Sequence, residues 1–263
     1  MKFQMRYASF LCLLCVITAV LCSCREISDK WKIVRLTGEP KSITVALDDS
    51  GEIGLSVDLN FTNGGSNTIT VLPTADGESP YAVMTYPSDL DDWGLTATLI
   101  NGILTVDTEK ECQFSTDAFS MTIYANVTSY DLVGSCTLNA DHGSLSAEHL
   151  SLNITGGAAV AICNAAAKAV TVHINGAADV VMAGTAEALD IEINGAGALD
   201  TVGLQVRDAS VVINGVGAAK LACTDALDTE INGTGSISYK GNPTLTKDIN
   251  GLGTVTQIPD DAT

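Results

Sequence analysis

Asp190 and Asp228 stand at equivalent places in two copies of a repeat, with Ser210 at the same place in the copy between them. Two positioned carboxylates, one giving a proton and one attacking carbon or activating water, are the minimum for hydrolysing a glycosidic bond. If the copies stack as neighbouring strands, two strand spacings set these carboxylates about 10 Å apart. Lyase chemistry needs instead a base and, usually, Ca²⁺ held by several carboxylates. The basic residues of this region, Arg207, Lys168, Lys220, Lys240 and Lys247, fall in different columns of the repeat. The acidic runs Asp48-Asp49-Ser50-Gly51-Glu52 and Asp89-Leu90-Asp91-Asp92 fit neither the EF-hand loop nor the Gly-Gly-x-Gly-x-Asp nonapeptide, and read as solvated loops. His142, His149 and His173 are scattered and read as surface or turn residues. Solvated polar side chains beside a turn explain the aspartates as well as catalysis does. No catalytic residue, metal ligand or cofactor is assigned.

The element that would position these residues is a repeated Ile-Asn-Gly unit. Its copies are Ile174-Asn175-Gly176, Ile193-Asn194-Gly195, Ile213-Asn214-Gly215, Ile231-Asn232-Gly233 and Ile249-Asn250-Gly251, at intervals of 19, 20, 18 and 18 residues. A near-constant period below 25 residues predicts a solenoid. Two positions before each Ile stand Val172, Ile191, Val211, Thr229 and Lys247, and two before those Val170, Leu189, Ala209, Leu227 and Leu245. The positions between are polar or mixed, so the pattern has period two, that of a strand with one buried face. The apolar column restarts after the turn at Val180, Leu199, Ala219, Ile237 and Val255. Two or three short strands per 18–20 residues suit one coil of a parallel β-helix. Each Asn is then expected to ladder to the next coil, and each Gly to make a corner that a Cβ would penalise. The Gly-x-Gly pattern is no phosphate loop, because no helix follows it. Ile154-Thr155-Gly156, and earlier Leu138-Asn139-Ala140-Asp141-His142-Gly143, read as decayed copies, and Lys247 as a cap residue of the last coil.

Before the repeat, six segments alternate apolar and polar residues between turn signals, as half-buried antiparallel strands do. They are residues 42–47, 54–59, 68–72, 82–86, 95–100 and 103–106. Asn60 to Asn67 reads as a hairpin tip and Asn101-Gly102 as a tight hairpin turn. Trp31 and Trp93 read as packing residues. Cys112 and Cys136 are a candidate disulfide across one or two strands, whereas Cys163 and Cys223 sit at apolar positions that suit small buried thiols. The pairing of the four stays open.

Lys2 and Arg6 followed by an apolar run from Ala8 to Leu21 read as a secretory signal. The segment ends Leu21-Cys22-Ser23-Cys24, which resembles the bacterial lipobox with Cys24 acylated; a plain signal peptide containing cysteines is the alternative. Either reading implies an extracytoplasmic site. Removing Lys2 and Arg6 leaves 11 basic against 31 acidic residues, a net charge of −20. Such acidity argues against nucleic acid or anionic phospholipid as a partner. Aromatic content of 5% weakens the case for a sugar-stacking platform.

The Ile-Asn-Gly-x-Gly series, with Tyr239, Gly241 and Pro243 before the final copy, resembles the head GIN domain of putative auto-transporter adhesins over about residues 121–258. The resemblance implies a β-helix-like fold and a lipoprotein or surface protein of Bacteroidetes-type bacteria, and it supplies no catalytic residues. The sequence therefore predicts an all-β chain. Residues 1–23 are a lipoprotein signal, 24–30 a tether, 31–112 a strand-rich β region, 113–258 a right-handed parallel β-helix-like solenoid, and 259–263 a disordered tail. The expected function is that of a non-enzymatic cell-envelope lipoprotein, periplasmic or surface-exposed on the outer membrane. It would be held by a lipid on Cys24 and carry a module that binds a glycan or a surface protein. The alternatives are a carbohydrate-active β-helix enzyme and a structural protein that self-associates into homo-oligomers.

Overall fold

The computed structural model describes residues 33–35, 38–47, 52–59, 67–75, 78–109, 113–115, 119–143 and 147–259. The signal segment, the tether, Cys24, Trp31, Asp48 to Gly51, Cys112 and residues 260–263 lie outside them. Fifteen strands are described, beginning with β1 (Ile33–Arg35), β2 (Pro40–Ala46), β3 (Ile53–Asp58), β4 (Thr68–Leu72), β5 (Tyr81–Pro87), β6 (Leu95–Ile100) and β7 (Ile103–Thr108). After β8 (Gln113–Ser115), β9 (Ser120–Tyr124) and β10 (Val127–Asp141) come the long β11 (Ala147–Gly215) and β12 (Ala218–Ile231). The chain closes with β13 (Ser236–Lys240), β14 (Thr244–Ile249) and β15 (Thr254–Gln257). β1 and β8 pair only with each other; the other thirteen share one large mixed sheet.

Drawn straight, the 69 residues of β11 would span about 230 Å. Instead the chain turns back onto itself. Successive stretches pair in parallel, as Ser129 of β10 does with Ser151 of β11, and Leu227 of β12 with Leu245 of β14. Each turn of chain sends two short rows of side chains inward, such as Ala178, Val180 and Met182, then Leu189, Ile191 and Ile193, all buried. These rows stack into one continuous hydrophobic core. Thr201 and Thr229 place hydroxyls inside it, and both are satisfied: they donate to the carbonyls of Lys220 and Thr246 at 3.0 Å.

The repeated glycines stack in close backbone contact from turn to turn. Gly176 and Gly195 adopt φ of 146° and 143°, and a Cβ on either would collide with the carbonyl oxygen of the glycine one turn earlier, Gly156 or Gly176. The same stacking runs back through Gly156 to Gly134, so Ile154-Thr155-Gly156 is in the ladder. The earlier copy is Leu132-Val133-Gly134, and the expected one at residues 138–143 is a different corner. There β10 ends at Asp141, whose carboxylate accepts from the Gly143 amide and from Asn164 Nδ2.

All six strands expected before the repeat are present, and Asn101-Gly102 makes the β6–β7 hairpin with positive φ at both residues. The expectation that these strands are antiparallel needs correction. β3 and β4 do not pair with each other; each pairs in parallel with a different part of β10, on either side of Gly134. The two strands flanking the expected hairpin tip are therefore not hairpin partners, and Asn60 to Ser66 themselves lie outside the described residues. On their other edges β3 and β4 pair in parallel with β7 and β9. Antiparallel pairing is confined to the end of the stack, where β6 covers β7 and where β5 and β2 follow β9. The acidic run at residue 89 is a 3₁₀ helix, Ser88–Trp93, rather than a solvated loop. Its Leu90 is fully buried, and Asp91 bonds Lys41 Nζ at 2.7 Å and the Tyr86 hydroxyl at 3.0 Å.

Across β2, β5, β9, β4 and β10 the outward residues fall into rows. One reads Ser42, Thr85, Ser120, Thr68 and Thr137, and the next Thr44, Val83, Thr122, Thr70 and Asn139. Among the described residues, no helix is long and apolar enough to cross a membrane.

The stacking geometry sets a ranking of substitutions. Gly195→Ala forces both an unfavourable φ and a backbone collision, and is expected to cost on the order of 3 kcal/mol. Asn214→Ala removes exposed hydrogen bonds and is expected to cost about 1 kcal/mol. Urea unfolding of both variants checks the order; equal midpoints would refute the role given to the glycine contact.

Candidate functional site

The side chains of the repeat divide between core and surface. Ile174, Ile193, Ile213 and Ile231 are fully buried, and Ile249 in the last turn is half-buried. The asparagines form a chain of amide bonds along the outside. Nδ2 of Asn194 donates to Oδ1 of Asn175 at 3.1 Å, Asn214 to Asn194 at 2.9 Å, Asn232 to Asn214 at 2.9 Å, and Asn250 to Asn232 at 3.2 Å. Glu192 and Glu230 accept the second amide proton of Asn194 and Asn232 at 2.8 and 2.6 Å. Each of the four Asn–Asn bonds joins one turn to the next.

One strand before this spine, an open groove of about 700 Å³ runs across several turns. It forms because the outward positions flanking buried Val170, Leu189, Ala209 and Leu227 are short. On one side stand Thr171, Asp190, Ser210, Asp228 and Thr246; on the other, alanines predominate at Ala169, Ala188 and Ala226. Ser210 pairs in register with Asp228, and Asp228 with Thr246. The structure thus brings Asp190, Ser210 and Asp228 onto one wall. It adds Asp208, which has no role in the sequence reading, and His149, which reads there as an ordinary surface residue. Extending the column alignment two positions further back exposes Asp208 as the one acid in an alanine column. His149 lies before the motif is recognisable and has no such signal.

The chemistry open to these groups follows from their exposure. Asp190 and Asp228 are both solvent-exposed. Two strand spacings separate their backbones by about 9.6 Å, far wider than a retaining pair and at the upper edge of an inverting one. Exposed carboxylates also lack the burial that tunes a general acid. Among the described residues no three His, Cys, Asp or Glu side chains are grouped to hold a metal ion. The geometry instead offers spaced hydrogen-bond acceptors along a shallow channel.

Two expectations about reactive side chains are corrected. Cys163 is exposed, because it sits at a corner where the next residue, Asn164, takes φ of 56°. Cys223 is buried as expected, and the Arg207 and Ala226 carbonyl oxygens, both 3.0 Å from its Sγ, share its single S–H. Cys136 is buried, and burial pushes its thiol up to about 11, which leaves it inert; its candidate partner Cys112 is outside the described residues. His142 is no surface histidine. It is buried, with Nε2 3.2 Å from the hydroxyl of fully buried Tyr130.

A resemblance to known proteins is evident at this level. A family model described as "Putative auto-transporter adhesin, head GIN domain" matches residues 92–243. Among solved structures, a putative adhesin from Bacteroides fragilis is similar with a TM-score of 0.71 at 18% identity, over 86% of this chain and 100% of that one. A putative lipid binding protein from Parabacteroides distasonis is similar with a TM-score of 0.62 at 18% identity, over 87% and 100%. A putative adhesin from Parabacteroides merdae gives 0.56 at 18% identity, over 86% and 99%. At such identities the likeness is one of fold. No curated protein matches the sequence.

Burial holds the His142 imidazole below its ordinary value, a pull that neighbouring Asp141 partly offsets. The folded state therefore favours the neutral ring. As pH falls below about 6.5, the unfolded chain takes up the proton first and stability declines. Urea midpoints measured from pH 7.5 to 5.5 are expected to fall in the wild type and to fall less in His142→Gln. Parallel pH profiles in the two proteins would overturn this assignment.

Proposed function

We propose, from the premise that this chain belongs to the putative auto-transporter adhesin family of the head GIN domain, that it is a non-enzymatic binding and adhesion module of the bacterial cell envelope. The body winds as a right-handed parallel β-helix, one copy of the repeat to each coil. The parallel registers of Ala198 with Ala218, Ala218 with Ser236 and Ser236 with Thr254 support that winding. A lipid on Cys24 tethers it to the outer membrane outside the cytoplasm, and the helix presents its exterior to a glycan or a surface protein.

The observation that carries this reading is the division of labour within each coil. Ile fills the core, Asn bonds the neighbouring coil and Gly makes the corner, so none is left for chemistry. What varies from coil to coil is the exterior, and the concavity beside Asp190 and Asp228 is an open groove rather than an enclosing pocket. Enzyme sites for small substrates bury most of the ligand; an open channel suits an extended one. The carbohydrate-active alternative rests on Asp190 and Asp228 facing the same groove. Self-association rests on the last coil, where Leu245 and Leu252 are 36% and 83% exposed near the outer edges of β14 and β15.

A glycan array run beside turnover assays separates these readings. Binding without turnover is expected, whereas turnover that disappears in Asp190→Ala or Asp228→Ala would replace the adhesion reading by the enzymatic one. A concentration-dependent mass without any ligand would favour self-association. For the anchor, Cys24→Ser is expected to move the protein from the membrane fraction to the soluble one. A wild type found wholly in the soluble fraction would rule the anchor out.

A further inference from the structure

We infer that the outward face of β2, β5, β9, β4 and the adjoining part of β10 is the docking surface for a neutral polysaccharide chain; this rests on the binding-module reading and gives it a place and a ligand class. Of the ten positions in the two rows described above, eight carry a serine or threonine hydroxyl, the others being Val83 and Asn139. Across the strands these groups repeat at about 4.8 Å, and along a strand at about 6.6 Å. Neither row holds a charged residue, although the chain has 31 acidic and 13 basic side chains. Outward positions elsewhere in the sheet do carry charge, as at exposed Asp179 and Lys220.

Beside the rows stands a pair of aromatic rings. Tyr81 on β5 and Tyr124 on β9 are direct cross-strand partners and stack with centroids 4.6 Å apart and planes at 23°. Both are half-buried, each supporting the other. The residue opposite Tyr81 on its other side is Ala46, exposed and too small to cover the second face of the ring. The result is a braced ring face next to a field of short hydroxyls.

These chemistries select one kind of ligand. A pyranose offers an apolar C–H face that packs on an aromatic ring, and a periphery of hydroxyls that exchange hydrogen bonds with serine and threonine. Short side chains and a braced ring lose little conformational entropy on binding. An anionic polymer would meet no cation in these rows and a strongly acidic chain around them. A protein partner would look for an apolar centre, which two hydroxyl rows do not supply.

The test is affinity electrophoresis of the mature full-length chain in gels cast with neutral polysaccharides (xyloglucan, galactomannan, dextran, arabinoxylan), with polygalacturonate as the anionic comparison. Co-sedimentation with phosphatidylethanolamine–phosphatidylglycerol vesicles runs in parallel. Retardation is expected in at least one neutral gel, weakened about tenfold by Tyr81→Ala or Tyr124→Ala, the equivalent of one lost ring contact. Thr44→Glu places a charge on an exposed position without touching the core and is expected to weaken retardation as well. Circular dichroism and urea midpoints identify any variant that has lost its fold. Asp190→Ala and Asp228→Ala, which probe the groove, are run alongside, and Lys220→Ala, at an exposed position elsewhere in the sheet, is expected to migrate as wild type. Neutral-gel retardation unaffected by Tyr81→Ala and Thr44→Glu would overturn the inference, as would retention by polygalacturonate or vesicles alone. Loss of binding in the aspartate variants would put the ligand in the groove, overturning this placement and keeping the binding module. No retardation in any gel, together with an empty glycan array, would overturn both.

Discussion

The close approach of backbone to backbone at the Asn-Gly corner governs the rest of the structure. Strands in a parallel stack lie about 4.8 Å apart, and this spacing must be kept through the corners as well as the strands. The ladder does continue there: the amides of Val216, Thr234 and Leu252 donate to the carbonyls of Gly195, Gly215 and Gly233 at 2.8–2.9 Å. At the positive φ these corner glycines adopt, a side chain would point at the turn below, and only hydrogen fits. Where the glycines stack, the isoleucine before each must enter the core and the asparagine must stay outside. One steric condition thereby fixes three columns.

Variation in the length of a turn must then be absorbed elsewhere. Between β11 and β12 the register runs unbroken from Ala198 with Ala218 to Thr201 with Leu221, and resumes at Gln205 with Ala222. Three extra residues therefore sit at Val202, Gly203 and Leu204, one is recovered where Val206 and Asp208 pair with Cys223 and Ala226, and both adjustments lie away from the Asn-Gly corner. The ends of the stack follow the same logic. At the N-terminal end antiparallel β6, β5 and β2 and the 3₁₀ helix cover the first turns, with Lys41 on the outermost strand bonded to Asp91. At the other end the core thins into exposed Leu245 and Lys247, whose equivalents one turn earlier, Leu227 and Thr229, are buried. A polar last turn discourages open-ended stacking.

What is legible in the sequence is what repeats locally. The period, the buried isoleucines and the strands before the repeat can be read because each depends on neighbours within one turn. The insertion of β3 and β4 between β10 and the β7–β9 layer cannot. Parallel partners there are remote in sequence, Leu55 with Tyr130 and Ile69 with Leu138. The alternation of Ile53 to Asp58 is the same for a parallel or an antiparallel neighbour. Gly134 carries no signal because neither Ile nor Asn precedes it; only the backbone requirement survives at that copy. His142 reads wrongly for a related reason: it directly follows β10, and Tyr130, near the start of that strand, meets it only because the chain bends between them. The groove is half legible: Asp190 and Asp228 share a column, but the alanines that make the concavity carry no chemical signal.

The hydroxyl rows show the same limit from the functional side. Their members come from five strands whose spatial order, β2, β5, β9, β4, β10, is not their sequence order, so no window of sequence contains them together. Threonine is also a favoured strand residue, and any one of them alone means only that. What distinguishes the face is what the chain leaves out of it. A protein with net charge −18 keeps those rows free of the carboxylates it places on its groove wall and beside its asparagine spine. Charges lose hydration when a polymer lies across them, whereas hydroxyls exchange one set of hydrogen bonds for another at small net cost. Beyond a Debye length of about 8 Å the surrounding acids are screened. An uncharged face several strands wide can therefore meet a neutral polymer while the acidic remainder of the surface repels anionic ones.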